Sequence, residues 1–110
     1  MPESGAALTG APSVPSSRMS AAEVHDDPTH LRFELVEDGK LVFADYLPEG
    51  EVLELTHVEA DPALRGSGAA GRLMDGLLAI VRRRGWRVRP LCGYAAAYMK
   101  RHPEHRDLLA

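Results

Sequence analysis

The sequence predicts a small mixed α/β domain of the α+β kind. Its element order is β-β-β-α-β-α, with a mixed, mostly antiparallel sheet and two helices. Three observations predict it. From Leu31 to Glu59, polar and apolar residues alternate with the period of strands. From Ala70 the apolar spacing changes to that of an amphipathic helix. Glycine and proline then punctuate the chain wherever the period changes.

The elements follow in order. Residues 1–27 are rich in Ala, Ser, Pro and Gly and show no apolar periodicity, so they are expected to form a disordered tail. Residues 28–110 are expected to form one domain. Leu31, Phe33 and Leu35 alternate with Arg32 and Glu34, as in a half-buried strand. Asp38-Gly39 is a two-residue hairpin signal, and Leu41 to Leu47 return as a second strand. After the turn "LPEG", strict alternation in "EVLELTHVE" puts Val52, Glu54, Thr56 and Val58 on one face. Leu53, Leu55, His57 and Glu59 then take the other.

Ala70, Leu73, Met74, Leu77, Leu78 and Val81 make one helical face, and Gly85 is placed to end it. Trp86 to Arg89 reads as a short strand. Gly93 to about Arg101 reads as a second helix, stopped by Pro103. The crossover helix makes the fourth strand parallel to the third.

Composition narrows the function. The chain has 110 residues and a net charge of −3. Residues 1–61 hold 13 acidic and 3 basic residues, whereas residues 62–110 hold 3 acidic and 10 basic. The cationic half either serves an anionic ligand or cancels against the acidic half in the fold. Trp86 is the single aromatic within the arginine-rich run and the chain is net acidic, so nucleic-acid binding is not expected. No stretch has the length and apolarity of a membrane span or the layout of a signal peptide. Cys92 is the single cysteine, so no intrachain disulfide forms, and a reducing, cytoplasmic setting fits. No metal site is expected.

The stretch "RGSGAAG" spaces Gly66, Gly68 and Gly71 as G-x-G-x-x-G. A dinucleotide fingerprint would need the first turn of a long doubly wound sheet and an acidic residue about 20 positions on. Three strands precede the turn here, and no Asp or Glu lies between Asp75 and Glu104. A P-loop would need Lys-Ser/Thr after the glycines. Two readings remain. One is a turn whose glycines only permit the bend. The other is a pyrophosphate cradle, in which N–H groups from Arg65 to Ala70 are free donors backed by a helix dipole, with Arg65 and Arg72 adding charge.

The run "DPALRGSGAAGRLM" between a strand and a helix resembles motif A of the GNAT N-acetyltransferases, with Ala63 where Gln or Arg is usual. "THVEADP" and "RVRPLCGYAAAYMKRHPEHRDLL" are similar to the small one-domain YjdJ-type GNAT-like subfamily, with Val58 and Gly93 as departures. The resemblance implies a minimal GNAT-like fold that binds acetyl-CoA (coenzyme A) and acetylates an amine, either a small molecule or a protein lysine. It implies a cofactor site of Val58, Arg65, Gly66, Ser67, Gly68, Ala69, Ala70 and Cys92. Cys92 would face the thioester, as nucleophile or as lining, unless it is an inert buried thiol.

Acetyl transfer also needs a polarising N–H, placed near Val58 to Ala60, and a base, for which His57 and Glu59 are candidates. It needs an acid for the leaving thiolate, for which Tyr98 fits the family position. The bland alternatives are a hydrogen-bonded histidine, a solvated carboxylate and core tyrosines at 94 and 98. Arg82-Arg83-Arg84 is either a solvated helix end or a partner for the 3′-phosphate of CoA. The expected assembly is a monomer or weak dimer without nucleic acid or membrane. The rival function is a non-catalytic acyl-CoA-binding module.

Overall fold

A computed structural model describes residues 23–110. Five strands form one sheet in the order β1-β2-β3-β4-β5. They are β1 (His25–Asp27), β2 (Arg32–Glu37), β3 (Lys40–Glu49), β4 (Val52–Ala60) and β5 (Arg87–Pro90). The first four meander antiparallel, and β5 runs parallel to β4. Helix α1 (Ala69–Arg84) makes the crossover, and α2 (Gly93–Arg101) follows β5. A 3-10 segment (Pro103–Leu108) then leads to Leu109, which bridges to Val88 on the outer side of β5.

Local chemistry explains most of the boundaries. Asp38 and Gly39 both have positive φ, 53° and 71°, as a two-residue type I′ hairpin requires. Gly85 ends α1 in the left-handed conformation at φ 72°, and its N–H donates to Arg82 O. The apolar stripe of α1 buries Leu73, Met74, Leu77, Leu78 and Val81 completely against Phe33, Leu35, Val42, Ala44, Leu53 and Leu55. Each such side chain contributes about 2 kcal/mol of transfer free energy.

Two expectations are corrected. The predicted tail boundary at residue 27 is too late. Residues 1–22 lie outside the described residues, but β1 is an edge strand paired with β2. Its sequence, His-Asp-Asp, has no strand propensity, so tertiary contacts hold it. Asp26 accepts a 2.6 Å hydrogen bond from the Tyr46 hydroxyl and a 2.7 Å bond from Arg84. Val24 packs into the gap left by the missing side chain of Gly76, where an added Cβ would collide with it.

The second correction concerns β4. Asp45 pairs with His57 and Tyr46 with Leu55, so Thr56 is an extra residue, a β-bulge. The bulge reverses the faces after it. Leu53, Leu55, Val58 and Ala60 pack on the core, while His57 and Glu59 are exposed on the other side. Strict alternation had assigned Val58 to the opposite face from Leu53.

These contacts make the start of the domain testable. A chain beginning at Pro28 should be less stable than one beginning at Glu23 by about 2 kcal/mol, on the order of 10 °C in Tm for a domain of this size. Gly76→Ala should destabilise the longer chain through Val24. In the shorter one it should stabilise by up to about 1 kcal/mol, because alanine is the better helix former. Equal melting temperatures for the two chains would show that β1 contributes nothing.

Candidate functional site

The segment between β4 and α1 is shaped by its own side chains. Asp61 caps the 3-10 turn Pro62–Leu64 by accepting from Ala63 N at 2.9 Å. Ser67 Oγ donates to Leu64 O and accepts from Ala69 N at 3.2 Å. The backbone N–H of Arg65 goes to Pro62 O at 3.3 Å, and that of Ser67 goes to Leu64 O at 3.1 Å. The expected unbroken run of donors from Arg65 to Ala70 is therefore alternating instead. Arg65, Ser67 and Ala69 spend their N–H groups within the loop. Those of Gly66, Gly68, Ala70 and Gly71 have no partner among the described residues.

Gly66 and Gly68 have φ of 79° and 87°, the left-handed geometry that turns these N–H groups outward as a concave nest. They open on a cleft of about 320 Å³ lined also by Ala60, Leu64, Arg65, Ala69 and Tyr94. An added Cβ on Gly68 would come within 3.0 Å of Arg72 Nη1.

The charge around the loop differs from expectation. Arg72 does not face the cleft as a free cation. Its guanidinium forks onto Glu37 at 2.7 and 2.8 Å, tying the start of α1 to the end of β2. This bond holds the Glu37 carboxyl below its ordinary range. Arg65 has no carboxylate partner among the described residues and remains the loop's positive side chain. Arg82 pairs with Asp107 and Arg84 with Asp26, at the far end of a helix about 24 Å long. The arginine run therefore lies far from the glycine loop.

Ala60, at the end of β4, lines the cleft, next to the point where β4 and β5 part. Their ladder ends at Leu55, whose carbonyl accepts from the N–H of both Leu91 and Cys92 at 3.0 Å. Beyond it lies the Thr56 bulge. Asp61 N donates to Leu41 O at 2.9 Å, so along this antiparallel ladder Glu59 and His57 also point their N–H groups at β3. Val58 and Ala60 point theirs the other way, into the fork.

His57 and Glu59 are brought together, with Nε2 and Oε1 at 2.9 Å and side chains 54% and 53% exposed. They stand on the sheet face opposite Val58 and Ala60.

Helix α2 starts at this fork. Cys92 is its N-cap, and Sγ accepts from Ala95 N at 3.5 Å. The thiol is half-buried against the core and thus has a local task. Arg89, near it in sequence, is taken by Glu54 at 2.8 Å and Glu49 at 3.3 Å.

The two tyrosines of α2 divide differently from expectation. Tyr98, the expected acid, is 4% exposed, and its hydroxyl donates to Asp75 Oδ1 on α1 at 3.1 Å. His102 stacks on its ring at 4.0 Å. Burial, then the Asp75 charge and hydrogen bond, push the Tyr98 phenol well above its ordinary value. Tyr94 is the tyrosine that lines the cleft, its hydroxyl 3.8 Å from where a Cβ on Gly71 would sit. The sequence signal for it was present, since residues four apart on a helix share a face. The role of Asp75 had no such signal.

Residues 32–108 match the model of the family described as GCN5-related N-acetyl-transferase. A GCN5-like protein from Staphylococcus aureus, solved in solution by NMR, shares the fold. Its TM-score is 0.63 at 17% identity, over 84% of this chain and 91% of that one. No curated protein matches the sequence. Among the described residues, no helix is long and apolar enough to cross a membrane. Nor do three metal-ligating side chains gather there.

The buried phenols set an alkaline limit. Burial first, then the hydrogen bond to Asp26, also raise Tyr46, so in both Tyr46 and Tyr98 the folded state favours the protonated form. Their contribution to stability is complete below the ordinary phenol value of 10.0 and is lost as pH rises above it. In an alkaline titration their phenolate absorbance should develop together with loss of near-ultraviolet circular dichroism. Phenolate signals from both at pH 10 in a still-folded chain would contradict this.

Proposed function

The chain belongs to the GCN5-related N-acetyltransferase family, and on that premise we propose that it binds acetyl-CoA in the cleft between the glycine loop and α2 and transfers the acetyl group to an amine. The observation that carries this reading is the outward-facing, unpartnered N–H groups of Gly66, Gly68, Ala70 and Gly71. They stand at the positive end of a 16-residue helix and open on one cleft. The cleft suits an anion chemically, having free donors, a positive helix end, Arg65 and no carboxylate among its lining residues. The Pro90-Leu91-Cys92 and His102-Pro103-Glu104 segments support the narrower YjdJ-type assignment.

When bound, acetyl-CoA supplies an acetyl thioester whose carbonyl is open to attack by an amine. The chain's residues divide the remaining work. Gly66, Gly68, Ala70 and Gly71 hold pyrophosphate oxygens through N–H groups, with Arg65 adding charge. The N–H groups of Val58 and Ala60 continue that line of donors along the fork and are suited to pantetheine carbonyls or to a developing oxyanion. Tyr94 offers a hydroxyl to the cleft, so it takes the place first given to Tyr98 as the proton source for a thiolate. Cys92 is not among the residues that line the glycine cleft; it stands at the apex of the fork, where it would line the site only if the thioester reaches that far. His57 and Glu59 are a hydrogen-bonded pair that can relay a proton from an amine arriving on the open sheet face.

Binding and turnover are tested separately. Gly68→Val should abolish acetyl-CoA binding in isothermal titration with the circular dichroism unchanged. A β-branched residue at φ 87° is strained and fills the approach to the nest. Tyr94→Phe should weaken acetyl-CoA binding by about five-fold, the worth of one net hydrogen bond. Wild-type affinity in Gly68→Val would overturn the assignment of the cleft.

Incubation with acetyl-CoA and a panel of primary amines, including lysine peptides, should give acetylated product by mass spectrometry. Binding without product from any acceptor would favour the acyl-CoA-binding module. One acetyl group found on Cys92 would make the thiol a nucleophile, and protection of Cys92 from iodoacetamide by acetyl-CoA would make it a lining residue.

A further inference from the structure

Asp75 is the only carboxylate between Asp61 and Glu104, in the most cationic part of the chain. Yet no arginine among the described residues takes it. Arg72, one turn earlier on α1, goes to Glu37. Asp75 Oδ1 instead accepts the Tyr98 hydroxyl at 3.1 Å, the only side-chain hydrogen bond joining α1 to α2 among the described residues. The carboxylate is 71% exposed, while the ring it binds is buried.

His105, on the segment after α2, brings Nε2 to 3.6 Å from the same oxygen. Its Nδ1 is buried without a partner. Three elements therefore meet at one oxygen. The contact sits one turn from the cleft on both helices. Gly71 and Asp75 are four apart on α1, and Tyr94 and Tyr98 are four apart on α2. A Cβ on Gly71 would lie 3.8 Å from the Tyr94 hydroxyl and 3.9 Å from Tyr98 Cε2, so the two helices touch there.

We propose that Asp75 is the positioning residue of the cleft. By clamping the Tyr98 hydroxyl it fixes α2 against α1, and so fixes how far Tyr94 stands from the glycine loop. The cofactor consequence rests on the acetyl-CoA reading of that cleft; the clamp itself does not. Helix α2 has nine residues; Ala95 and Met99 seat it on the core, and the Tyr98–Asp75 bond is the side-chain hydrogen bond that sets it against α1 among the described residues. Tyr94 and Tyr98 share one face of α2, so a shift of the helix at Tyr98 moves Tyr94 with it.

The test compares Asp75→Ala, Asp75→Asn and Tyr98→Phe in the full chain, alone and combined with Tyr94→Phe. Asp75→Ala and Tyr98→Phe should each weaken acetyl-CoA binding by about five-fold at most by titration calorimetry, no more than removing the Tyr94 hydroxyl does. Asp75→Asn keeps an acceptor oxygen and should stay within about two-fold of wild type. In the Tyr94→Phe background, Asp75→Ala should add little, because its effect passes through Tyr94.

Amide resonances of Gly68 and Gly71 read the same clamp without ligand. They should move in Asp75→Ala and Tyr98→Phe and hold in Asp75→Asn. Multiplying losses in the double variant, or unmoved glycine resonances in folded Asp75→Ala and Tyr98→Phe, would overturn the proposal. Failure of the wild type to bind acetyl-CoA would instead overturn the reading of the cleft, with the resonances still deciding the clamp.

Discussion

The Leu55 carbonyl is where this structure divides. It accepts two N–H groups, from Leu91 and Cys92, and it closes the parallel ladder. Before it, β4 is an ordinary interior strand with partners on both sides. After it, β4 is paired only to β3. Pro90 stands opposite Leu55, so the Leu91 N–H is the regular parallel partner of the Leu55 carbonyl; the Cys92 N–H is the extra one, and the ladder stops there. The Thr56 bulge then bends β4 at the point where β5 turns into α2. Two backbone donors, at Val58 and Ala60, are left pointing into the fork, and the N-cap of α2 sits at its apex. An unpaired backbone donor in a half-buried place is costly unless something fills it. The fork is therefore the weak point of the sheet, and it opens beside the glycine cleft that Ala60 lines.

The same logic governs the charges. The uneven distribution along the chain largely cancels in space. Arg72 meets Glu37, Arg84 meets Asp26, and Arg89 meets Glu54 and Glu49, each pair joining the basic half to the acidic half. For these arginines the bland reading is right. Exposed ion pairs of this kind are worth little in stability. Their value here is register, since each ties α1 or β5 to a particular strand end. Arg65 has no carboxylate partner among the described residues, and it is the one cation that lines the glycine cleft.

Much of the fold was legible because local rules fix it. The Asp38-Gly39 turn, the Gly85 stop, the Pro103 stop and the α1 stripe each depend on a few adjacent residues. The bulge was not legible. Thr56 and His57 are both polar, so inserting one extra residue there leaves no visible break in the alternation. Strand β1 was not legible either, because nothing in His-Asp-Asp asks for a strand. It forms because Tyr46, Arg84 and Gly76, all distant in sequence, supply a donor, a cation and a gap. The glycine loop was legible as a loop with free donors. Which donors stay free depends on Ser67 turning back to Leu64 and Ala69, a detail of side-chain geometry.

The two tyrosines show how a site can be half read. Spacing places Tyr94 and Tyr98 on one face of α2 but cannot say which lines the cleft. That depends on where α1 crosses, and the crossing is marked by Asp75. Once Tyr98 donates to Asp75, its proton is engaged, and burial holds it more tightly still. A phenol in that state is a poor acid toward a passing thiolate, because transfer would leave a buried phenolate beside a carboxylate. The hydroxyl one turn earlier carries no such bond to Asp75 and lines the cleft. In the proposed reaction the acid role therefore falls to Tyr94 rather than Tyr98, and the more buried tyrosine joins α2 to α1 through Asp75.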